Sequence, residues 1–325
     1  MRKILFIADP LIEFAVEKDS TLAMMDACQK AGHQVWHCHT HDIKSIASSI
    51  KAECLHIELS RGADDWFTPL ENATKRLADF DAVVMRKDPP FDMAYVTATW
   101  FLSAACLEGA RVFNSPEALR NHSEKLALLE FLQFAPPTII SRDLVDIKEF
   151  HQQHQDIIIK PLDGMGGMGV FRIKADGLNL ASIVETLGEN GAKALMVQKF
   201  IPEIVDGDKR VLLIDGEPVP YSLARIPQGG EIRGNLAVGG KGVAQKLTQK
   251  EFDIAHEIGS QLARRGLHLV GLDFIGGYLT EINVTSPTCF VEITNQTGHD
   301  VASQWLKSLL NMFMVKFLVD LLQLM

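Results

Sequence analysis

Val270-Gly271-Leu272-Asp273-Phe274-Ile275-Gly276-Gly277-Tyr278-Leu279-Thr280-Glu281-Ile282-Asn283 reads as two apolar strands joined at a pair of glycines, a β-hairpin. Side chains alternate across a strand, so Glu281 and Asn283 share a face. Asp273 joins that face if the register sets it opposite Glu281. A three-residue connection, Gly276 to Tyr278, does this, whereas a two-residue loop pairs Asp273 with Thr280. Three oxygen-bearing side chains then converge among strongly apolar neighbours, where uncompensated carboxylates are costly. A hard cation that takes few protein ligands and several phosphate oxygens offsets that cost, which describes Mg²⁺ carried on ATP.

Two glycine-rich segments upstream extend this reading. Ile157-Ile158-Ile159-Lys160-Pro161-Leu162 is a strand ending in a cation, followed by Gly164-Met165-Gly166-Gly167-Met168-Gly169 and a second strand, Val170 to Ile173. Glycines let backbone N–H groups come close to phosphate oxygens, and Lys160 supplies point charge to the same anion. No Gly-Lys-Ser/Thr follows and the loop leads into a strand, so it is neither a Walker loop nor a dinucleotide fingerprint. Further on, Arg210 begins a strand, Arg225 ends one, and Arg233 sits in the long run Ile226 to Gly242. Such a run suits a loop that closes over a reacting centre, and arginine suits a two-pronged grip on carboxylate or phosphate.

The first third alternates short apolar runs with helical patterns. Ile4 to Ala8, Val35 to His39, Ala82 to Met85 and Arg111 to Phe113 are strands, and Ser20 to Lys30 and Ala94 to Leu107 are helices. This spacing indicates βαβ units and a parallel sheet. Ligands of such sheets sit at carboxyl strand ends, here Asp9-Pro10 and Arg86-Lys87-Asp88-Pro89-Pro90-Phe91. His37, His39 and His41 alternate along one strand face and read as a polar edge, able to catch a metal ion in vitro. Leu306 to Met325 is very apolar but broken at near-helical intervals by Lys307, Asn311, Lys316, Asp320 and Gln323. It reads as an amphipathic helix docked on the body or on a second subunit rather than a membrane span.

With 325 residues the chain exceeds one ordinary core, so two or three domains are expected. A net charge of −9 argues against non-specific binding to nucleic acid or anionic membrane, though not against a local anion pocket. Five cysteines, an odd number without a Cys-x-x-Cys pair, suit reduced thiols in a cytoplasmic protein. The short apolar run after Met1-Arg2-Lys3 is interrupted by Asp9-Pro10 and is no secretory signal.

Taken in order, Met85 to Phe91, Lys160 to Gly167, Gly207 to Val211, Gly216 to Pro220, Ala224 to Gly230 and Thr280 to Thr288 resemble the bacterial glutathione synthetases of the ATP-grasp superfamily, over roughly Met1 to Glu292. The resemblance implies an α/β fold. A Rossmann-like pre-ATP-grasp domain (1–122) would be followed by a two-part ATP-grasp module, a central lid (123–200) and a C-terminal domain (201–325) with a mobile loop at 226–242. It implies phosphate binding by Lys125, Lys160 and the loop Gly164, Met165, Gly166 and Gly167. Adenine would lie against the backbone of Gln198, Lys199, Phe200 and Ile201, and ribose against Asp208. Asp273, Glu281 and Asn283 would ligate Mg²⁺ or Mn²⁺. Arg86, Arg210, Arg225 and Arg233, with Ser286, Pro287 and Thr288, would hold γ-glutamylcysteine, and Arg210, Arg225 and Arg233 would act in catalysis. The implied reaction joins γ-glutamylcysteine to glycine through an acyl phosphate, in a homo-oligomer, dimer or tetramer. The rival readings are a D-alanine–D-alanine ligase, an amino-acid ligase acting on a peptide tail, or a non-catalytic ATP-binding module. The tail after Glu292 departs from the family pattern.

Overall fold

The computed structural model describes residues 1–60, 62, 65–236 and 239–323, with side chains through Phe313. Among these residues the chain builds three sheets.

The first sheet is assembled from β1 (Lys3–Ile7), α1 (Ser20–Lys30), β2 (Gln34–Cys38), β3 (Lys44–Ile46), β4 (Ser49–Leu59), β5 (Phe67–Arg76), β6 (Ala82–Met85), α2 (Met93–Leu107) and β7 (Val112–Phe113). Strands β2, β1, β6 and β7 are parallel, as the strand–helix alternation predicts. The parallel core has an addition: β4 runs antiparallel to β2 and carries β3 and β5 as an antiparallel arm. Helix α1 starts where the Asp19 carboxylate accepts the Leu22 N–H at 2.8 Å, and its chain turns away at Gly32, which takes positive φ. Alternation along β1 sends Leu5 and Ile7 toward α2, and Ile4 and Phe6 toward α1.

After α3 (Pro116–Asn121) and a 3₁₀ segment over Leu126–Phe134 comes a second, antiparallel sheet. It contains β8 (Thr138–Ser141), β9 (Ile157–Pro161), β10 (Phe171–Ile173) and β11 (Leu195–Lys199), with α4 (Leu144–His154) and α5 (Leu180–Leu187) packed against it. Strands β9 and β10 flank the first glycine loop and pair as a hairpin, with Phe171 opposite Ile159.

The third sheet is built from β12 (Asp208–Ile214), β13 (Glu217–Ile226), β14 (Lys241–Lys246), α6 (Gln249–Arg264), β15 (Leu269–Ile275) and β16 (Tyr278–Asn283). Its strand order is β14-β13-β12-β15-β16, antiparallel throughout. One face packs on α6 through Val211, Leu213, Ile254, Ile258 and Leu272. The other presents Leu212 and Ile214 to α7 (Phe290–Thr297) and α8 (Val301–Gln323). Helix α8 docks on the chain's own body, burying Val301, Trp305 and Leu309 beside α1, with Phe6 and Trp305 ring centroids 6.1 Å apart. Arg2 and Arg111 lie over the Phe313 ring. The later polar breaks expected at Lys316, Asp320 and Gln323 lie beyond the described side chains. Among the described residues no helix is long and apolar enough to cross a membrane.

Candidate active site

Register brings the charged residues of the third sheet into one row. Arg210 on β12 lies opposite Asp273 on β15, and Asp273 lies opposite Glu281 on β16. Directly opposed residues share a face, so the three side chains project together. Asp208, two residues before Arg210, stands opposite Arg225 on β13, and Gly271 stands opposite Asn283. Gly271 makes room: a Cβ there would meet Arg210 Cδ at 2.8 Å. The row occupies one end of the face whose other end, Leu212 and Ile214, is buried under α7 and α8.

The hairpin reaches this register by an unexpected route. Its loop is two residues, Gly276-Gly277, with Ile275 opposite Tyr278 and Phe274 opposite Leu279. A regular hairpin with such a loop would pair Asp273 with Thr280. Instead the register shifts between Asp273 and Phe274, and a β-bulge absorbs Thr280. The Thr280 hydroxyl donates to the Asp273 carbonyl at 3.1 Å, so the extra residue is tied into the strand pair. The three-residue connection is therefore wrong, while the pairing it was meant to deliver is present.

Cations meet this row from two directions. Asp273 accepts from Arg210 Nη2 at 3.0 Å, lies 3.0 Å from Arg225 Nη2, and accepts from Asn283 Nδ2 at 3.2 Å. Arg225 also pairs with Asp208 at 2.5 Å. From the second sheet, Lys160 on β9 donates to Glu281 Oε1 at 2.9 Å. Lys125 lies 4.0 Å from the same oxygen and donates to the Gly164 carbonyl at 2.6 Å. Burial by itself would raise the Asp273 carboxyl, but Arg210 and Arg225 reverse this and hold it well below the usual carboxylate range. Glu281 is likewise lowered against its burial by Lys160 and Lys125. Burial pushes Asp208 up to about 6 despite Arg225, and it pushes Glu124 up to about 7, with the Glu281 charge adding to the shift.

These groups line one cleft of about 410 Å³. The loop Gly164, Met165, Gly166 and Gly167 forms part of its wall, as do Gln198, Lys199, Phe200, Ile201 and Asp208. The two glycine-rich loops touch: Arg233 Nη1 lies 3.4 Å from the Gly167 carbonyl, and a Cβ on Gly167 would meet Asn235 Oδ1 at 2.8 Å. Ala237 and Val238 of the longer loop lie outside the described residues. The N–H groups of Lys199 and Phe200 are already committed, to the carbonyls of Pro137 and Asp156 at 2.9 Å each. Any backbone contact to a base from this stretch falls to its other atoms.

Three expected positions lie elsewhere. Arg86 is buried outside the lining of the cleft, donating to the Pro287 carbonyl at 3.0 Å and to Thr21 Oγ1 at 3.1 Å. Pro287 is likewise outside the lining, while Ser286 and Thr288 on either side of it belong to the wall. Lys87 is drawn to Asp9 at 2.6 Å rather than offered to a ligand. The parallel pairing of β1 with β6 folds this charged run onto Asp9. Nor do the three histidines share a strand face: β2 ends at Cys38, and His39 caps a 3₁₀ turn over Thr40–Asp42.

Two family models match the chain: "Prokaryotic glutathione synthetase, N-terminal domain" over residues 2–120, and "Prokaryotic glutathione synthetase, ATP-grasp domain" over residues 124–298. The chain belongs to the prokaryotic glutathione synthetase family. It is 52% identical to the glutathione synthetase of Ralstonia nicotianae over 94% of this chain and 95% of that one. It is 54% identical to that of Bordetella parapertussis over 92% and 95%, and 49% identical to that of Neisseria meningitidis serogroup A over 93% and 96%. Coverage of this extent carries the likeness past Glu292, so the departure expected of the tail begins later than the sequence reading placed it. Among solved structures, D-cycloserine synthetase DcsG superposes with a TM-score of 0.66 at 15% identity, covering 94% of this chain and 98% of that one. The ATP-grasp ligase PsnB, bound to a precursor peptide and AMPPNP, superposes with a TM-score of 0.62 at 18% identity, covering 95% and 97%. Both likenesses speak to the ATP-grasp fold. Membership in the glutathione synthetase family makes the chain an ATP-dependent ligase that works with a divalent metal on small-molecule substrates.

Sequence reasoning missed several residues of the synthetase cleft. Glu124, Thr280, Thr285 and Cys289 all line it. Glu124 held a local hint, sitting beside Lys125, to which it is bonded at 2.8 Å. The other three arrive through the bulge and through the turn leading into α7, which no periodicity announces.

Proposed function

We propose that the chain makes glutathione by joining γ-glutamylcysteine to glycine, with ATP as phosphoryl donor and Mg²⁺ as the metal, Mn²⁺ substituting. The observation that carries this reading is the row Arg210, Asp273, Glu281, which aims carboxylates and cations into one cleft beside a glycine loop. Asp273, Glu281 and Asn283 are an all-oxygen donor set suited to a hard cation, which would offset charge on the transferring phosphoryl group. Lys125 and Lys160 hold phosphate oxygens, Gly164 to Gly167 bring backbone N–H groups to them, and Asp208 takes the ribose. The Gln198 to Ile201 stretch forms the adenine wall. Arg210, Arg225 and Arg233 grip the dipeptide and stabilise the charge that develops on it. Arg86 contributes from beneath, fixing Pro287 and through it Ser286 and Thr288.

The cysteinyl carboxylate attacks the γ-phosphorus, ADP leaves, and the glycine amine displaces phosphate from the acyl phosphate. Contact between the two glycine-rich loops would keep water from that intermediate. We further propose the domain limits 1–122, 123–200 and 201–325, which agree with one sheet in each part and with family models that meet between residues 120 and 124. Buried thiols at Cys28, Cys38, Cys54 and Cys289 favour a cytoplasmic location, and assembly as a dimer or tetramer is included in the proposal. The test is phosphate release by purified protein with ATP and Mg²⁺. Release that requires γ-glutamylcysteine and glycine together, with glutathione as product, is expected; release with D-alanine alone would overturn the reading.

A further inference from the structure

The segment His37-Cys38-His39-Thr40-His41-Asp42 lies at the carboxyl end of β2, apart from the residues that line the cleft. The backbone N–H of His39 donates to Asp42 Oδ2 at 2.8 Å, which pins that carboxylate over the turn. His39 Nδ1 lies 3.4 Å from the Ala8 carbonyl. With its proton on Nδ1, the ring leaves the Nε2 lone pair unused, the arrangement by which a backbone carbonyl orients a metal-bound imidazole. The His39 and His41 rings stack with centroids 4.9 Å apart and planes within 12°. One ligand atom each from His39, His41 and Asp42 fall within 4.8 Å of one another.

We infer that His39, His41 and Asp42 form a site for a divalent transition metal of the Zn²⁺, Co²⁺, Ni²⁺ class. Two imidazoles and one carboxylate suit such borderline ions and suit Mg²⁺ poorly, since Mg²⁺ seeks oxygen. Bonds of about 2.0–2.2 Å in a tetrahedron need ligand atoms closer together than they now stand. His41, whose side chain is 76% exposed, can close that gap by turning about its own bonds. Its exposure leaves the fourth position to water or an added ligand.

The site has a physical route to the reaction cleft. His37 Nε2 lies 3.0 Å from the Asp9 carbonyl. The Asp9 carboxylate holds Lys87 Nζ at 2.6 Å and the Asp88 N–H at 2.9 Å, and Asp88 lines the cleft. An ion on the turn would therefore stiffen the end of β1 that carries one rim of the active site.

The test is a titration of the untagged, full-length protein with Co²⁺ and then Zn²⁺, in millimolar Mg²⁺ that occupies any hard-cation site. One equivalent of Co²⁺ per chain is expected, with the visible absorption of a low-coordinate ion, displaced by Zn²⁺. His41→Ala and Asp42→Asn should each weaken binding tenfold or more and leave ligase turnover in Mg²⁺ unchanged. Asp273→Asn, in the cleft, should leave Co²⁺ binding as it was. The assignment fails if the wild-type protein takes up no Co²⁺ in Mg²⁺, if His41→Ala binds it equally well, or if Asp273→Asn abolishes it.

Discussion

The guanidinium of Arg172 lies 3.6 Å from the centroid of the Phe200 ring, held there by two hydrogen bonds to the Asp156 carboxylate at 2.9 and 2.6 Å. Asp156 fixes the same aromatic residue a second time, since its carbonyl accepts the Phe200 N–H at 2.9 Å. Phe200 forms part of the cleft wall assigned to adenine. Arg172 thus positions that wall without facing the reaction. A contact of this kind contributes about 0.5–2 kcal/mol. Arg172→Ala should accordingly raise KM for ATP by roughly 2- to 30-fold, while kcat and KM for glycine stay within twofold. A fall in kcat with KM for ATP unchanged would refute the positioning role.

Arg225 serves two carboxylates at once, the buried Asp273 and the half-buried Asp208. Its removal leaves Asp208 and Asp273 short of countercharge, so the loss extends beyond catalysis. Arg225→Ala should reduce turnover by at least about 100-fold. It should also cost about 3–5 kcal/mol of stability in urea unfolding, the usual penalty for stranding a buried charge. The ion-pair network thus predicts a weakened fold for this variant. Unchanged unfolding midpoints would show that water or relaxation repairs the network.

Glu281 takes an ammonium from Lys160 and faces a second one on Lys125. Glu281→Gln keeps the shape and discards the charge. The concentration of Mg²⁺ needed for half-maximal activity should rise tenfold or more, and Mn²⁺ should recover part of the loss. Metal activation indistinguishable from wild type would move the metal away from β16.

His37 and His268 are both buried, and burial lowers each to about 4 from the ordinary imidazole value. Both stay neutral in the folded chain while the unfolded chain protonates near pH 6.5. Their contribution to stability is therefore complete above pH 6.5 and is lost as pH falls toward 4. The slope is up to about 1.4 kcal/mol per pH unit for each residue. His268 bonds Ser308 on α8 at 2.9 Å, so acid should loosen that helix from the third sheet. His268→Gln should show a shallower fall in Tm between pH 6.5 and 4.5 than the wild-type protein. Parallel curves would mean that other groups carry the acid response.

Much of this fold was legible because local signals and tertiary packing agree. Ala82 to Met85 is a strand with the limits read from its apolar run, and α1 begins at the acidic cap that marks it. The β4–β5 arm was not read. In β4, Ile50, Ala52 and Cys54 alternate with polar residues and are buried, the period of a half-covered strand, until a register shift between His56 and Ile57 resets it. β5 has no such signal: it carries Pro69, Glu71 and Asn72, is largely exposed, and owes its form to pairing with β4. In the site, the residue types of the hairpin named the chemistry, but the bulge at Thr280 was invisible because an ordinary residue makes it. The burial of Arg86 gives no local sign, because its partners Thr21 and Pro287 lie 65 positions before it and 201 after it.

The seating of α8 against α1 and β1 has a consequence for how the protein is made. Phe6 precedes Trp305 by 299 positions and is synthesised well before it, yet each helps to cover the other. Until α8 has been made, that face of the first sheet lacks part of its cover and stays open to chaperones or to neighbouring nascent chains. A stop codon before Val301 would leave every copy permanently in that half-covered state, with the residues that line the cleft all present on a molecule that cannot cover Phe6.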